Sequence, residues 1–588
     1  MKKIFSLILL IALVLGISPA FAPPVCATAE GYGSNGKFLA PIDPPAEGAT
    51  PISDRAGLEA IASNMSGSYY LTRDIDLSGA EWTPIGYTDS SATGGKFWCG
   101  QFSGIFDGQG HVVKDITITR NTFGYNGLFG TADGANIINT GVEDTNINVD
   151  GYAGGICGQY SGTIKNCYHT GNISVSNSTY AYDAGGICGF SCASFNDCYN
   201  VGNISADASV SNNDGVSAGG ICGTNNGGGI MNNCYNTGAI SASCKYIGYD
   251  STYISAAGGI CGKSTYSHDI TDCYNTGNCS SSVTGAANAN AGGICGYTQG
   301  NSGDGNIRMC YNTGLISAYS HNRCAMAGGI DSYGVTGIWE VSNCYNTGTV
   351  SAVSLSDSCY VNAGGILGFW YNSGITNCYN VGNISASAPE DHYAGGITGT
   401  PSSPNGCYCL DYFDISSGVV FSIPQMKDKS SFTNWDFTSI WAISPGINNG
   451  YPYLQSFPPL FAVSSSAITI GGEPATTANL ISLTGKVAAS VDYSSNYDAT
   501  VTVVMALYRK FPVDGHGNLL TVAILDNQTI AAGNHTLTLT PENFNKPGDA
   551  NEDGNLIKIF FLTNMVRIQP LCEPVQLFEP MAPIPHPN

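Results

Sequence analysis

Apolar residues recur through the middle of the chain in short pulses rather than in helical faces. Ile156, Ile187, Ile221, Ile260, Ile294, Ile330, Ile366 and Ile397 form one column when the chain is folded back on its own repeat. Ile164, Phe195, Met231, Ile270, Ile307, Val341 and Ile375 form a second, and Ile173, Ile204, Ile240, Cys279, Ile316, Val350 and Ile384 a third. Their neighbours are mostly Lys, Asn, Thr, Ser or Arg. Alternation over so few residues predicts short half-buried strands, three per unit. Each unit can bury its apolar side only against the next, which predicts an all-β chain built on a parallel β-helix, a β-solenoid. About ten rungs at about 4.8 Å would make a rod about 45–50 Å long.

Two phrases mark the units. Ala-Gly-Gly-Ile begins at Ala153, Ala184, Ala218, Ala257, Ala291, Ala327, Ala363 and Ala394, at spacings of 31 to 39 residues. A Cys-Tyr phrase follows each, at Cys167, Cys198, Cys234, Cys273, Cys310, Cys344, Cys378 and Cys407. Weaker copies stand at Ile105-Phe-Asp-Gly and Gly127-Leu-Phe-Gly130. Open ends of a stacked sheet need covering. Residues 53–61 predict a short capped helix with Leu58 and Ile61 inward. Trp435, Phe437, Trp441 and Tyr451-Pro-Tyr-Leu454 predict an aromatic plug at the far end.

The unit Gly-Gly-Ile-Cys-Gly, then Ile-x-Asn-Cys-Tyr-Asn-Thr-Gly-Asn-Ile, resembles the GLUG motif of bacterial exported proteins. Tyr70–Leu77, Phe102–Gly108 and Asn448–Leu454 resemble the flanks of such arrays, so the likeness spans about residues 50–455. The resemblance implies a parallel β-helix in a surface or adhesin-like region and implies no activity. Some members carry a zinc peptidase, but this chain has no His-Glu-x-x-His.

From Phe461 the repeat gives way to longer alternating strands, among them 499–508, 519–525, 535–540 and 556–562, separated by turn signals. These predict an Ig-like antiparallel β-sandwich. The expected organisation is a signal peptide (1–27), a linker (28–50), the GLUG-repeat β-helix with its caps (51–455), the sandwich (461–575) and a Pro-rich tail (576–588).

Met1-Lys-Lys followed by apolar Ile4–Ile17 reads as the secretory signal. No second run is long enough for a membrane span. The expected location is therefore secreted, extracellular or on the cell surface. Net charge is −22 with only 21 Lys and Arg among 588 residues, which argues against nucleic acid as a partner.

Export would favour disulfides among the 22 Cys. Yet Cys279 replaces Ile in a core column, so Cys acts there as a small hydrophobe. In-register Cys would have parallel Cβ vectors, poorly suited to a bridge. Cys324 and Cys359, just before the Ala-Gly-Gly of adjacent units, are the candidate disulfide. Tyr168, Tyr199, Tyr235, Tyr274, Tyr311, Tyr345, Tyr379 and Tyr408 form an unbroken column. Directed outward, it could stack on sugar rings or a partner; the alternative is that Tyr stacks on Tyr.

Asp197 and Asp272, two rungs apart, have a spacing that glycoside hydrolysis could use. Their column is otherwise mostly Asn, which favours a corner role. Residues 151–400 hold only Lys165, Lys245, Lys263, Arg308 and Arg323, too few for a lyase of acidic polysaccharide. Asp549, Asn551 and Asp553 resemble the start of a calcium loop. Phe560 stands where its last acid should be, so a plain acidic loop is the default and no cofactor is assigned. No catalytic residue is assigned either. The expected function is a non-catalytic, adhesin-like rod for glycan or extracellular protein partners. A polysaccharide-active enzyme and a passive spacer are the alternatives.

Overall fold

The computed structural model describes residues 42–457, with breaks at 88–100, 120–123, 178–181, 209–214, 246–253, 266–268, 300–304, 336–339, 357–358, 370–373, 401–403, 411–416 and 445–446; beyond residue 460 it describes the backbones of eight strands. The signal peptide, the Pro-rich tail and the acidic loop at Asp549, Asn551 and Asp553 lie outside the described residues. The chain divides into two compact units, the first ending at Ile440 and the second beginning at Trp441.

The first unit is the parallel solenoid that the columns predict. One coil shows the plan. Cys188–Ser191 and Ser194–Asn196 form its first face, Tyr199–Asn200 and Asn203–Ala208 its second, and Val216–Gly219 its third. Pairing between coils is parallel and in register: Cys188 lies opposite Cys222, Tyr199 opposite Tyr235 and Ala184 opposite Ala218. The third face alone stacks nine strands, from Tyr125–Asn126 to His392–Gly395.

Two corners explain the phrases. Between the first and second faces stand Asn166, Asp197, Asn233, Asp272, Met309, Asn343 and Asn377, all with φ between 51° and 55°. Asn and Asp tolerate this left-handed conformation better than other side chains, which accounts for the column's composition. The residue after each corner is the inward Cys, buried among the Ile columns. At the Gly-Gly corner there is no room for a side chain. A Cβ on Gly185 would lie 1.9 Å from the Cys188 carbonyl, and one on Gly186 would lie 2.1 Å from the Gly220 carbonyl.

The first end is covered as the sequence predicts. Helix Arg55–Ala60 starts at Asp54, whose carboxylate accepts from the Gly57 N–H at 2.8 Å. Leu58 and Ile61 are buried beneath it. At the other end Tyr408 stacks on Phe421 at 4.4 Å, with Phe432, Trp435 and Phe437 clustered around them. The predicted plug is smaller than expected. Trp441–Ala442 pairs antiparallel with Tyr453–Leu454 and belongs to the second unit.

The second unit carries two four-stranded antiparallel sheets. One orders Glu473–Pro474, Phe461–Ile470, Val487–Ser495 and Gly533–Leu539; the other orders Gly517–Ile530, Ala499–Lys510, Asn555–Leu562 and Val575–Gln576.

Candidate functional site

The tyrosine column is brought together, but as a closed stack. Successive rings from Tyr168 through Tyr199, Tyr235, Tyr274, Tyr311 and Tyr345 to Tyr379 lie 4.7 to 5.1 Å apart and within 7° of parallel. None of these tyrosines is more than 8% exposed. Of the two readings of this column, the stack of Tyr on Tyr is the one the structure shows, and the outward aromatic surface for sugar rings is not. In-register residues sit one rung apart, which is the stacking distance of aromatic rings, so each ring face is covered by its neighbour. At the first end the Tyr168 hydroxyl donates to Glu143 at 2.5 Å. Burial, and then the Glu143 carboxylate, raise this phenol above its ordinary range.

The residue after each Tyr builds a second ladder inside. Asn200, Asn236, Asn275, Asn312, Asn346 and Asn380 are fully buried, and the Nδ2 of each of the first five donates to the next Oδ1 at 2.8 Å. Each Nδ2 also reaches the carbonyl of the Gly two residues on, at 2.7 to 3.0 Å. His169 starts this ladder and Cys409 ends it, opposite Asn200 and Asn380. His169 Nδ1 donates to Asn200 Oδ1 at 2.8 Å, and its Nε2 accepts from the Thr145 hydroxyl at 2.7 Å. Nδ1 carries the proton because Asn200 Oδ1 can only accept. Burial lowers the His169 pKa to about 4.

The inward cysteines are free thiols. Those from Cys167 to Cys407 each donate to the carbonyl two residues earlier, at 3.2 to 3.5 Å. Burial pushes Cys198, Cys234 and Cys310 well above the ordinary thiol range, whereas at Cys273 and Cys344 the flanking column thiols outweigh burial and lower the value to about 5. A second column, Cys157, Cys188, Cys222, Cys261 and Cys295, continues as Asp331, Leu367 and Thr398. Asp331 and Asp183 are buried carboxyls that burial raises to about 7 and about 6.

Asp197 and Asp272 both occupy the left-handed corner, and Asp197 accepts from Asn233 Nδ2 at 2.8 Å. Among the described residues, no group of three or more His, Cys, Asp or Glu is placed to hold a metal ion. Cys324 and Cys359 are half-buried and unbridged.

One feature escaped sequence reasoning. Two residues after the Cys of each Gly-Ile-Cys-Gly phrase, or its equivalent, stand Gln159, Phe190, Thr224, Lys263, Tyr297, Tyr333 and Phe369. All but Thr224 are half-exposed. Tyr297 and Tyr333 stack at 5.4 Å, and Tyr333 and Phe369 at 4.9 Å. The signal was present as the variable position inside an otherwise constant phrase.

No family model matches the chain, so the GLUG resemblance rests on the repeat phrases themselves. Over 137 residues the chain is 27% identical to halomucin from Haloquadratum walsbyi (strain DSM 16790 / HBSQ001), covering 21% of this chain and 1% of halomucin. The chain thus spans about a hundredth of that relative's length. Among solved structures, a protein described as a "putative immunoglobulin A1 protease" from Bacteroides ovatus is 19% identical, with a TM-score of 0.33 over 70% of this chain and 94% of that one.

Proposed function

We propose that the chain is a non-catalytic, exported repeat protein of GLUG type that displays binding positions along a rigid solenoid for a glycan or an extracellular protein. The observation that carries this reading is how the repeated residues are used. Tyr lies on Tyr, Asn bonds Asn, and the Cys thiols also reach a backbone carbonyl of the preceding rung, so the constant columns are engaged between rungs. Variation falls on the half-exposed row from Gln159 to Phe369 and on the loops between units. A rigid scaffold that presents variable positions is the arrangement binding proteins use. Among the described residues, no helix is long and apolar enough to cross a membrane.

The test is an array of glycans and extracellular-matrix proteins probed with the full chain and with the Lys263→Ala/Tyr297→Ala/Phe369→Ala variant. Selective retention of the native chain, lost in the variant, supports the reading. No retention of either leaves a passive spacer. Release of soluble sugar from a polysaccharide would replace the reading with an enzyme.

A further inference from the structure

We propose that Cys324 and Cys359 are a thiol–disulfide site that joins two adjacent rungs when an oxidising disulfide is supplied, while the column cysteines stay reduced. The inference goes beyond the binding reading and does not depend on it.

Strand register carries the argument. Ala325–Gly328 pairs with Val361–Gly364, with Ala325 opposite Val361. Cys324 therefore falls level with Tyr360, and Cys359 is one residue further back. A rung spacing of about 4.8 Å with one residue's rise of about 3.3 Å gives a Cα separation of about 5.8 Å. Disulfides centre on about 5.5–6 Å. The in-register pairs of the Cys columns lack this offset; their Cβ vectors run parallel, which opposes the bridge torsion.

Access agrees with register, and the two thiols are near enough to act on each other's ionisation. Both residues are half-buried, whereas sixteen of the other described cysteines are buried. The remaining one, Cys192, is exposed and donates to the Asn226 carbonyl at 3.3 Å. Exposed Tyr360 follows Cys359 directly, so the bond would tie down the backbone that presents it.

The chemistry balances as two exchanges. Burial, then the neighbouring thiol, raise Cys324 to about 12. The Cys359 thiolate attacks one sulfur of oxidised glutathione; that S–S bond breaks, a mixed disulfide forms, and one glutathione leaves and takes up a proton. Cys324 then gives its proton to water and attacks the Cys359 sulfur, releasing the second glutathione. Two protein thiols are oxidised and one small disulfide is reduced to two thiols.

The experiment incubates the native full chain with oxidised glutathione, then denatures it and alkylates without reduction. Digestion with a glutamyl endopeptidase cuts after Glu340, between the two cysteines. The expected product is one cross-linked species containing Cys324 and Cys359, split by reductant, with Cys198, Cys234 and Cys310 recovered alkylated. In Cys324→Ser the cross-link disappears and Cys359 carries glutathione instead. The proposal is overturned if both cysteines are recovered alkylated, if each carries its own glutathione in the native chain, or if either is linked to another cysteine.

Discussion

Asp331 interrupts the second Cys column with a carboxyl that is 3% exposed. Its Oδ2 accepts from the Thr298 hydroxyl at 2.7 Å, and its Oδ1 accepts from the Tyr333 N–H at 3.4 Å. Cys295 precedes it in the column and Leu367 follows. Two hydrogen bonds do not replace the water lost, so burial raises its pKa from 3.8 to about 7. A shift of about three units is about 4 kcal/mol. The sign follows from proton binding. The folded state holds this proton more tightly than the unfolded state, so the stabilisation is present below pH 3.8 and is lost as pH rises through 7. Asp331→Asn keeps the shape and cannot ionise. Its unfolding free energy should match the native chain's near pH 4 and exceed it by up to about 4 kcal/mol above pH 7. Denaturant titrations of both proteins at one-unit steps from pH 4 to 8 give the difference directly. His169 and Asp183 titrate in both proteins and cancel. A difference that is flat with pH, or that grows toward acid, would refute the reasoning.

His169→Asn should extend the amide ladder by one rung. The native His contributes stability that is present above about 6.5 and lost as pH falls through about 4. That window is worth about 3 kcal/mol, and the variant's acid-unfolding profile should lack it. Asn275→Leu leaves the amide of Asn236, the Oδ1 of Asn312 and the Gly277 carbonyl without their partner, and should cost about 3–5 kcal/mol in denaturant unfolding. Gly259→Ala would place a Cβ 2.1 Å from the Gly293 carbonyl and 2.3 Å from Asn275 Cγ, so the chain should lose protease resistance across neighbouring rungs. Retention of native resistance in that variant would mean that the Gly-Gly corner tolerates a side chain.

The solenoid was legible because its determinants recur once per rung. Ile columns, Gly-Gly corners and the Asn/Asp corner each answer to a local need that every coil has, so the sequence repeats the answer. The tyrosine column was legible as a column, but whether it offered a surface or stacked on itself was not. Alternation tells which way a side chain leaves the strand, but not what lies one rung above it. Parallel in-register stacking places the same residue there, at 4.8 Å for Tyr168 and Tyr199, and a flat ring directed outward still loses both faces. The same geometry turns a polar Asn column into a satisfied internal ladder. In such a fold, constancy along a column marks bonds between rungs, and departures mark where something else is asked of the position. Asp331 in a Cys column, His169 at the head of an Asn column and the changing row from Gln159 to Phe369 are such departures. Cys324 and Cys359 are another kind: they belong to no column, and on the reading proposed above the one-residue offset that excludes them from the ladders is what would suit them to a bridge.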